Sequence, residues 1–332
     1  MRVRDGLRVA ANAAFRRVSR SPRRGELGYA ARPVFPAALI DHDLLRRRRI
    51  SVVVATVVVL LALVETVNAI VAPYRAPTDK DWVAAAAKVR ASFRPGDLIV
   101  AAPAWADPIM RRELGDLVPA PVAGRMDAAR FGRIWEISQH GARAGDTTNA
   151  TVRTSSRHGA LRVKLWEKPA AAVTFDFVAE WRKATMSIAT VGSGESPCAL
   201  ARDRFQCANG PVLKPGLLEI DTTLRNALGV EPRERATITL EYAQVSLGRE
   251  LVVAAGLHNV WLRKSGDGKV RTRVLVDGRE LGTLESTNSS GWFLRSFDTT
   301  SLDGKTANVR FEITTDKAHS RYLAFAAEAR TP

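Results

Sequence analysis

The sequence predicts an α+β chain with one transmembrane helix, a small α/β unit and then a β-sandwich. Three observations predict it. Residues 50–72 form an unbroken apolar run. Helix and strand patterns alternate between about 73 and 168. From 170 onward short strand-like runs recur with turn residues between them and without helical periodicity.

The apolar run reads Ile50 to Ala72, ISVVVATVVVLLALVETVNAIVA, with Glu65 its only charge. As a helix its 23 residues span about 34 Å, against a hydrocarbon core of roughly 30 Å. Arg46, Arg47, Arg48 and Arg49 abut its N-terminal end. Arginine is retained on the cytoplasmic side, so residues 1–49 are expected inside and everything after Ala72 outside the cytoplasm. A cleaved signal peptide fits less well, because 49 residues precede the run. A buried core helix fits less well because β-branched residues cover every face.

The formal charge of the 332 residues is +16, which suggests nucleic acid until it is located. Residues 1–49 hold 13 Arg against Asp5, Glu26, Asp41 and Asp43, a net +9 in a seventh of the chain. That charge sits beside the membrane, where it meets anionic lipid. No nucleic-acid-binding signature accompanies it, so the lipid bilayer is the expected partner and nucleic acid is not. The tail is expected to be largely disordered, with a short basic amphipathic helix over Ala10 to Val18.

After the span, residues 72–77 read as an extended linker. Thr78 and Asp81 have capping-box spacing, and Trp82, Ala86, Val89 and Phe93 then share one helical face. Pro95-Gly96 ends that helix. Asp97 to Ala102 is a short apolar run expected of a buried strand. Asp107 before Pro108 predicts an N-cap for a helix through Leu114. Arg133 to Ile137 predicts a strand, His140 to His158 a polar loop, and Leu161 to Trp166 a strand with one wet face.

In the domain from 170 to 332, strands are predicted over 173–177, 236–242, 250–255, 270–276, 280–285, 291–297, 307–314 and 321–327. Asp277-Gly278 predicts a two-residue hairpin turn. The two cysteines, Cys198 and Cys207, lack metal or redox spacing. In an oxidising compartment they are expected to form a short-loop disulfide.

Trp82, the stretch Arg94-Pro95-Gly96-Asp97, the stretch Ala102-Pro103-Ala104-Trp105, and Arg133-Ile134-Trp135 carry a resemblance. Over about 60 residues, 78–135, the chain resembles the extracytoplasmic tail of GT-C-type membrane glycosyltransferases, polytopic enzymes that use polyprenyl-phosphate sugars. In that family the catalytic Asp lies in a loop after the first of many spans. Only one span is legible here, so the activity is not carried over. The resemblance implies a polytopic glycosyltransferase as a possible partner, or a remnant subunit of one. Val274 to Gly278, Gly291-Trp292, Val309 to Ile313 and Tyr322 to Ala327 carry a second. Residues from about 235 to 330 look like a galactose-binding-like jelly roll, as in carbohydrate-binding modules.

Sugar sites in such sandwiches set aromatic rings against C–H faces and polar groups against hydroxyls. Trp261 and Trp292 are therefore the candidate ligand-binding aromatics, with Asn259, Arg263 and Arg321 as polar partners. Their alternative role is packing. Asp107, Glu113 and Asp116 follow a candidate strand but read as cap and helix surface rather than as paired catalytic carboxylates. No motif implies a cofactor or a metal. The expected role is non-catalytic: a membrane ectodomain that binds envelope polysaccharide or lipid-linked sugar, or assists a glycosyltransferase, with a purely structural ectodomain as the alternative. The Ala-, Arg- and Val-rich composition fits a GC-rich bacterial genome, and the expected location is the bacterial inner membrane.

Overall fold

The computed structural model of the chain describes residues 42–208, 210–258, 267–319 and 321–332, with 42–49 and 73–75 as backbone only. The expectations for the N-terminal tail lie outside these residues. The chain divides into two units, 1–70 and 71–332. The first holds helix α1 (His42–Arg75), whose stretch Ile50–Ala72 has a mean hydropathy of 2.6. Its hydroxyls are satisfied within the helix: Thr56 and Thr66 donate to the carbonyls of Val52 and Ala62 at 2.8 and 2.7 Å. The helix takes in Arg46 to Arg49 and runs through Pro73, so the expected linker is shorter than the sequence suggests. A proline in the last turn removes a single backbone hydrogen bond and need not end the helix earlier.

The second unit begins with α2 (Asp79–Arg90). Its predicted capping box is present: the Asp81 amide bonds to the Thr78 hydroxyl, and the Thr78 amide donates to Asp81 Oδ2. Trp82, Ala86 and Val89 are buried as their spacing requires. Strand β1 (Leu98–Ala102) is buried along its whole length, which an all-apolar strand needs. It leads through Ala104–Ala106 into α3 (Asp107–Leu114). Asp107 is the first helical residue and not the N-cap; Ala106 holds that place without a side-chain bond. Proline at the second position leaves the first free to be helical, and the Asp107 carboxylate turns to Arg111 one turn on.

A short α4 (Ala120–Ala123) follows, then β2 (Arg133–Gln139), β3 (Thr151–His158) and β4 (Leu161–Glu167). The sheet order is β1-β2-β4-β3, with β1 parallel to β2 and the rest antiparallel. Trp82, Met110, Leu114, Trp135 and Ile137 pack on one face. Leu98, Val100, Phe131, Ile134 and Trp166 pack on the other. Each such side chain contributes about 1.5–3 kcal/mol when fully buried. Strand β3 occupies the C-terminal half of the expected loop. It is a polar edge strand, almost wholly exposed, and so carries no apolar alternation.

The sandwich follows. Its strands are β5 (Ala172–Asp176), β6 (Ala184–Thr190), β7 (Gly194–Pro197), β8 (Ala199–Leu200), β9 (Phe205–Gln206), β10 (Val212–Ile220), β11 (Thr223–Val230), β12 (Ala236–Ser246), β13 (Glu250–Leu257), β14 (Val270–Val276), β15 (Arg279–Ser286), β16 (Phe293–Asp298), β17 (Thr306–Thr315) and β18 (Leu323–Thr331). One sheet runs β16-β13-β18-β11-β10-β9-β8, with β5 also on β18; the other runs β15-β14-β17-β12-β6-β7. Between them lies the main core, including edge-to-face contacts among Phe177, Tyr242 and Phe311. The Asp277-Gly278 turn has both residues at positive φ, 46° and 78°, as its two-residue hairpin requires. Cys198 and Cys207 are joined by a disulfide.

Candidate functional site

The C-terminal end of β1 opens a cleft of about 1080 Å³ between the α/β unit and the sandwich. After Ala102 the chain turns through a cis Ala102–Pro103 bond into the Ala104–Ala106 turn. That turn sets Trp105 at the cleft with 66 % of its surface exposed. An exposed indole is unusual, because a tryptophan side chain gains much from burial. Asp107 and Arg111 of α3 continue this wall, and Arg125, Asp127, Asp146, Thr148 and Lys168 come from loops of the same unit. The sandwich contributes Thr222 to Arg225, the turn and first residues of β11. Asp221 and Thr222 both have positive φ, 48° and 64°, and a β-branched residue in that region is strained.

Buried ion pairs hold the two walls together. Arg330 on β18 donates to Asp127 Oδ2 at 2.8 Å and to Glu328 Oε2 at 2.7 Å. Arg130 donates to Glu328 Oε1 at 2.5 Å and to Asp176 Oδ2 at 3.2 Å. The Asn226 amide donates to the Gly124 carbonyl at 2.6 Å. A Cβ on Gly124 would stand 2.5 Å from Leu217 Cδ2 and 2.9 Å from the Asn226 nitrogen, so this close approach needs glycine.

The cleft's carboxylates are all engaged by arginine. Asp107 accepts from Arg111 Nε at 2.5 Å, and Asp146 accepts from Arg125 Nη2 at 2.8 Å. Burial acts to raise the Asp127 carboxyl, but the hydrogen bond and charge of Arg330 outweigh it and hold the group below the usual carboxylate range. Arg225 is the exception among the cations. It is 9 % exposed, and its Nε and Nη1 have no hydrogen-bond partner among the described residues. Burial pushes its pKa down to about 10; the Asp127 charge opposes this, and Arg125 and Arg330 add to it.

Trp292 is half-buried against the core. Its ring lies under the Arg225 guanidinium, 5.1 Å from carbon to centroid, and its Nε1 donates to the Thr223 carbonyl at 2.9 Å. It thereby braces the sandwich wall of the cleft from behind Arg225. Arg321 is buried, donating to Asn288 Oδ1 at 2.5 Å and to the His319 carbonyl at 3.2 Å, so it organises loops. Trp261, Asn259 and Arg263 lie outside the described residues. Of the carboxylates weighed as catalytic, Glu113 accepts from Arg112 and Asp116 from Arg90, and neither lines the cleft.

Several other residues of the glycosyltransferase-like stretch serve packing, while Arg94, Pro95 and Gly96 are exposed. Trp82 and Trp135 are buried, and Trp135 Nε1 donates to the buried Asp97 carboxylate at 2.9 Å. Of that set, Ala104 and Trp105 line the cleft. Reasoning from the sequence passed over Arg225, Arg125, Asp146 and Lys168. An arginine inside the run Leu224-Arg225-Asn226-Ala227-Leu228 is the one signal that marked any of them.

No family model matches the chain, and no curated protein matches it. Several solved structures do. One is a CBM51 from Clostridium perfringens GH95 in complex with methyl-galactose, at 8 % identity over 49 % of this chain and 94 % of that one, TM-score 0.26. Another holds the CBM51-2 and INT domains of Clostridium perfringens ZmpB, at 7 % identity over 59 % of this chain and 32 % of that one, TM-score 0.25. A third is the Clostridium thermocellum xylanase 10B CBM22-1–GH10 pair with xylohexaose, at 13 % identity over 49 % of this chain and 28 % of that one, TM-score 0.27. The chain thus spans about a third of the longer proteins it resembles. These likenesses are partial and distant.

Proposed function

We propose that this is a single-pass membrane protein of the bacterial inner membrane, with its N-terminus in the cytoplasm and an ectodomain that binds carbohydrate without transforming it. The observation that carries the reading is Trp105, an exposed indole beside a roomy cleft lined by fixed polar groups. A sugar ring presents C–H faces that stack on an indole and hydroxyls that need hydrogen-bond partners, and this cleft offers both. Arg125, Asp146, Thr148 and Thr222 are among the polar groups within it. A general acid needs a raised pKa, whereas the Asp127 carboxyl is held low and its neighbours are committed to arginines, which favours binding over hydrolysis.

Arg46 to Arg49 ahead of the span support the orientation. A finer form of the proposal has the ectodomain assist an envelope glycosyltransferase. It rests on the resemblance over 78–135, most of whose residues pack the α/β unit. Co-purification of a polytopic glycosyltransferase with the chain would support that form.

The test is titration of the full chain in detergent with neutral and acidic oligosaccharides, read by calorimetry. Saturable binding that Trp105→Ala reduces at least tenfold is expected. Binding unaffected by Trp105→Ala but lost in Trp261→Ala would move the site to Trp261. Absence of binding to any saccharide would overturn the reading and leave a structural, protein-binding ectodomain.

A further inference from the structure

Two of the cations that line the cleft form no ion pair among the described residues. Arg111 is paired with Asp107, Arg125 with Asp146, and Asp127 is taken by Arg330. Arg225 and Lys168 have no ion pair among the described residues, and both face the same cavity from opposite walls, the sandwich and the α/β unit. Arg225 is the more telling of the two. A guanidinium nine-tenths buried with open donors is costly unless something satisfies it. The Trp292 ring behind it offsets only part of that, since a cation–π contact leaves the N–H groups unbonded. Trp292 also fixes where the charge stands, because its own N–H is tied to the Thr223 carbonyl.

We infer that the cleft selects an acidic saccharide, a sugar bearing a carboxylate or a phosphate, whose anionic group is received by Arg225 and Lys168 while its ring lies against Trp105. The inference rests on the reading of the cleft as a saccharide site and names the class of sugar it takes. Arginine is suited to both groups because its planar donors match oxyanion geometry. The two walls divide the work: the α/β unit supplies the stacking surface and one cation, and the sandwich supplies the other. The strained Thr222, in the turn that precedes β11, lines the same cleft as Arg225.

The test compares glucuronic acid disaccharides, glucose 1-phosphate, neutral glucose disaccharides and inorganic phosphate on the full chain in detergent. Wild type is expected to bind one or both acidic sugars at least about tenfold more tightly than the neutral sugar, the scale of a charge-assisted contact. Preference for the uronate assigns a carboxylate ligand, and preference for the sugar phosphate assigns a phosphorylated one. Arg225→Met is expected to erase the preference while neutral-sugar binding and the effect of Trp105→Ala persist. Its melting temperature should equal or exceed that of wild type, because it removes an uncompensated buried charge. Lys168→Met, at a half-buried site, should weaken the preference and serves where Arg225→Met does not fold. Equal affinity for acidic and neutral sugars, or a preference that survives both variants, overturns the inference and leaves the saccharide reading standing. Inorganic phosphate binding as tightly as glucose 1-phosphate overturns the acidic-sugar assignment. Loss of all saccharide binding in wild type overturns both.

Discussion

Replacing Arg330 by methionine should loosen the seam that builds the cleft. The Arg330 side chain is 2 % exposed and contacts Glu328, 5 % exposed, at 2.7 Å and Asp127, 30 % exposed, at 2.8 Å. Removing one partner of a buried pair leaves an uncompensated charge, typically at about 3–5 kcal/mol. Two features place this case at the lower end. Glu328 keeps Arg130 at 2.5 Å, and Asp127 can reach water. A loss of about 3 kcal/mol is therefore expected, which for a domain of this size is a fall of roughly 6–12 °C in Tm. Differential scanning calorimetry of the full chain in detergent reads it. The sharper reading comes from the double variant Arg330→Met with Glu328→Gln. With both charges gone the seam should be less destabilised than the sum of the two single changes, by about 1 kcal/mol or more. Simple additivity, or a single-variant loss below about 1 kcal/mol, would refute the assignment of the pair as the seam's fastening.

Two further outcomes are expected. The Asp127 carboxyl lies below its unfolded value near about 3.9, so its contribution to stability is complete above that pH and is lost as acid takes the group through its folded pKa. Asp127→Asn should flatten that part of an acid-denaturation curve, and an unchanged acid limb would count against the role. Reduction of the Cys198–Cys207 bond, or Cys198→Ser with Cys207→Ser, frees a loop closed at a separation of nine residues. The expected loss is about 2.5 kcal/mol, seen as a lower denaturation midpoint under reductant and as no change if the loop unfolds independently of the sandwich.

The sequence was legible where one physical rule acted alone. The long apolar helix, the Thr78 capping box, the buried β1, the Asp277-Gly278 hairpin and the alternating strands β12, β14 and β17 all follow from period or turn chemistry. Between 178 and 235 competing signals hid the strands. Strand β10 carries Pro215 and Gly216, and β11 reads TLRNALGV, a composition as suited to a helix as to a strand. The turn joining them, Asp221-Thr222, adopts positive φ without a glycine and so lacks the usual mark of a hairpin. The cleft was less legible still. Its walls come from residues as far apart as Ile99 and Arg225, with no motif spacing among them. Trp292, picked out as a candidate ligand-binding aromatic, is half-buried, with Arg225 and the Thr223 carbonyl against it.

Strand β18 is the last element of the chain and also the middle of its sheet, bonded to β13, β11 and β5. All but its final residue, Thr331, are buried. While the polypeptide is being made, three strands therefore wait with an unfilled slot between them, and the sandwich cannot close until Leu323–Thr331 arrives. Glu328 and Arg330 arrive with it, so the two walls of the cleft are fastened only when this strand docks. A chain in which Leu323–Thr331 is undocked would keep its α/β unit and expose an open sheet edge, a form suited to chaperone capture and unsuited to holding a ligand.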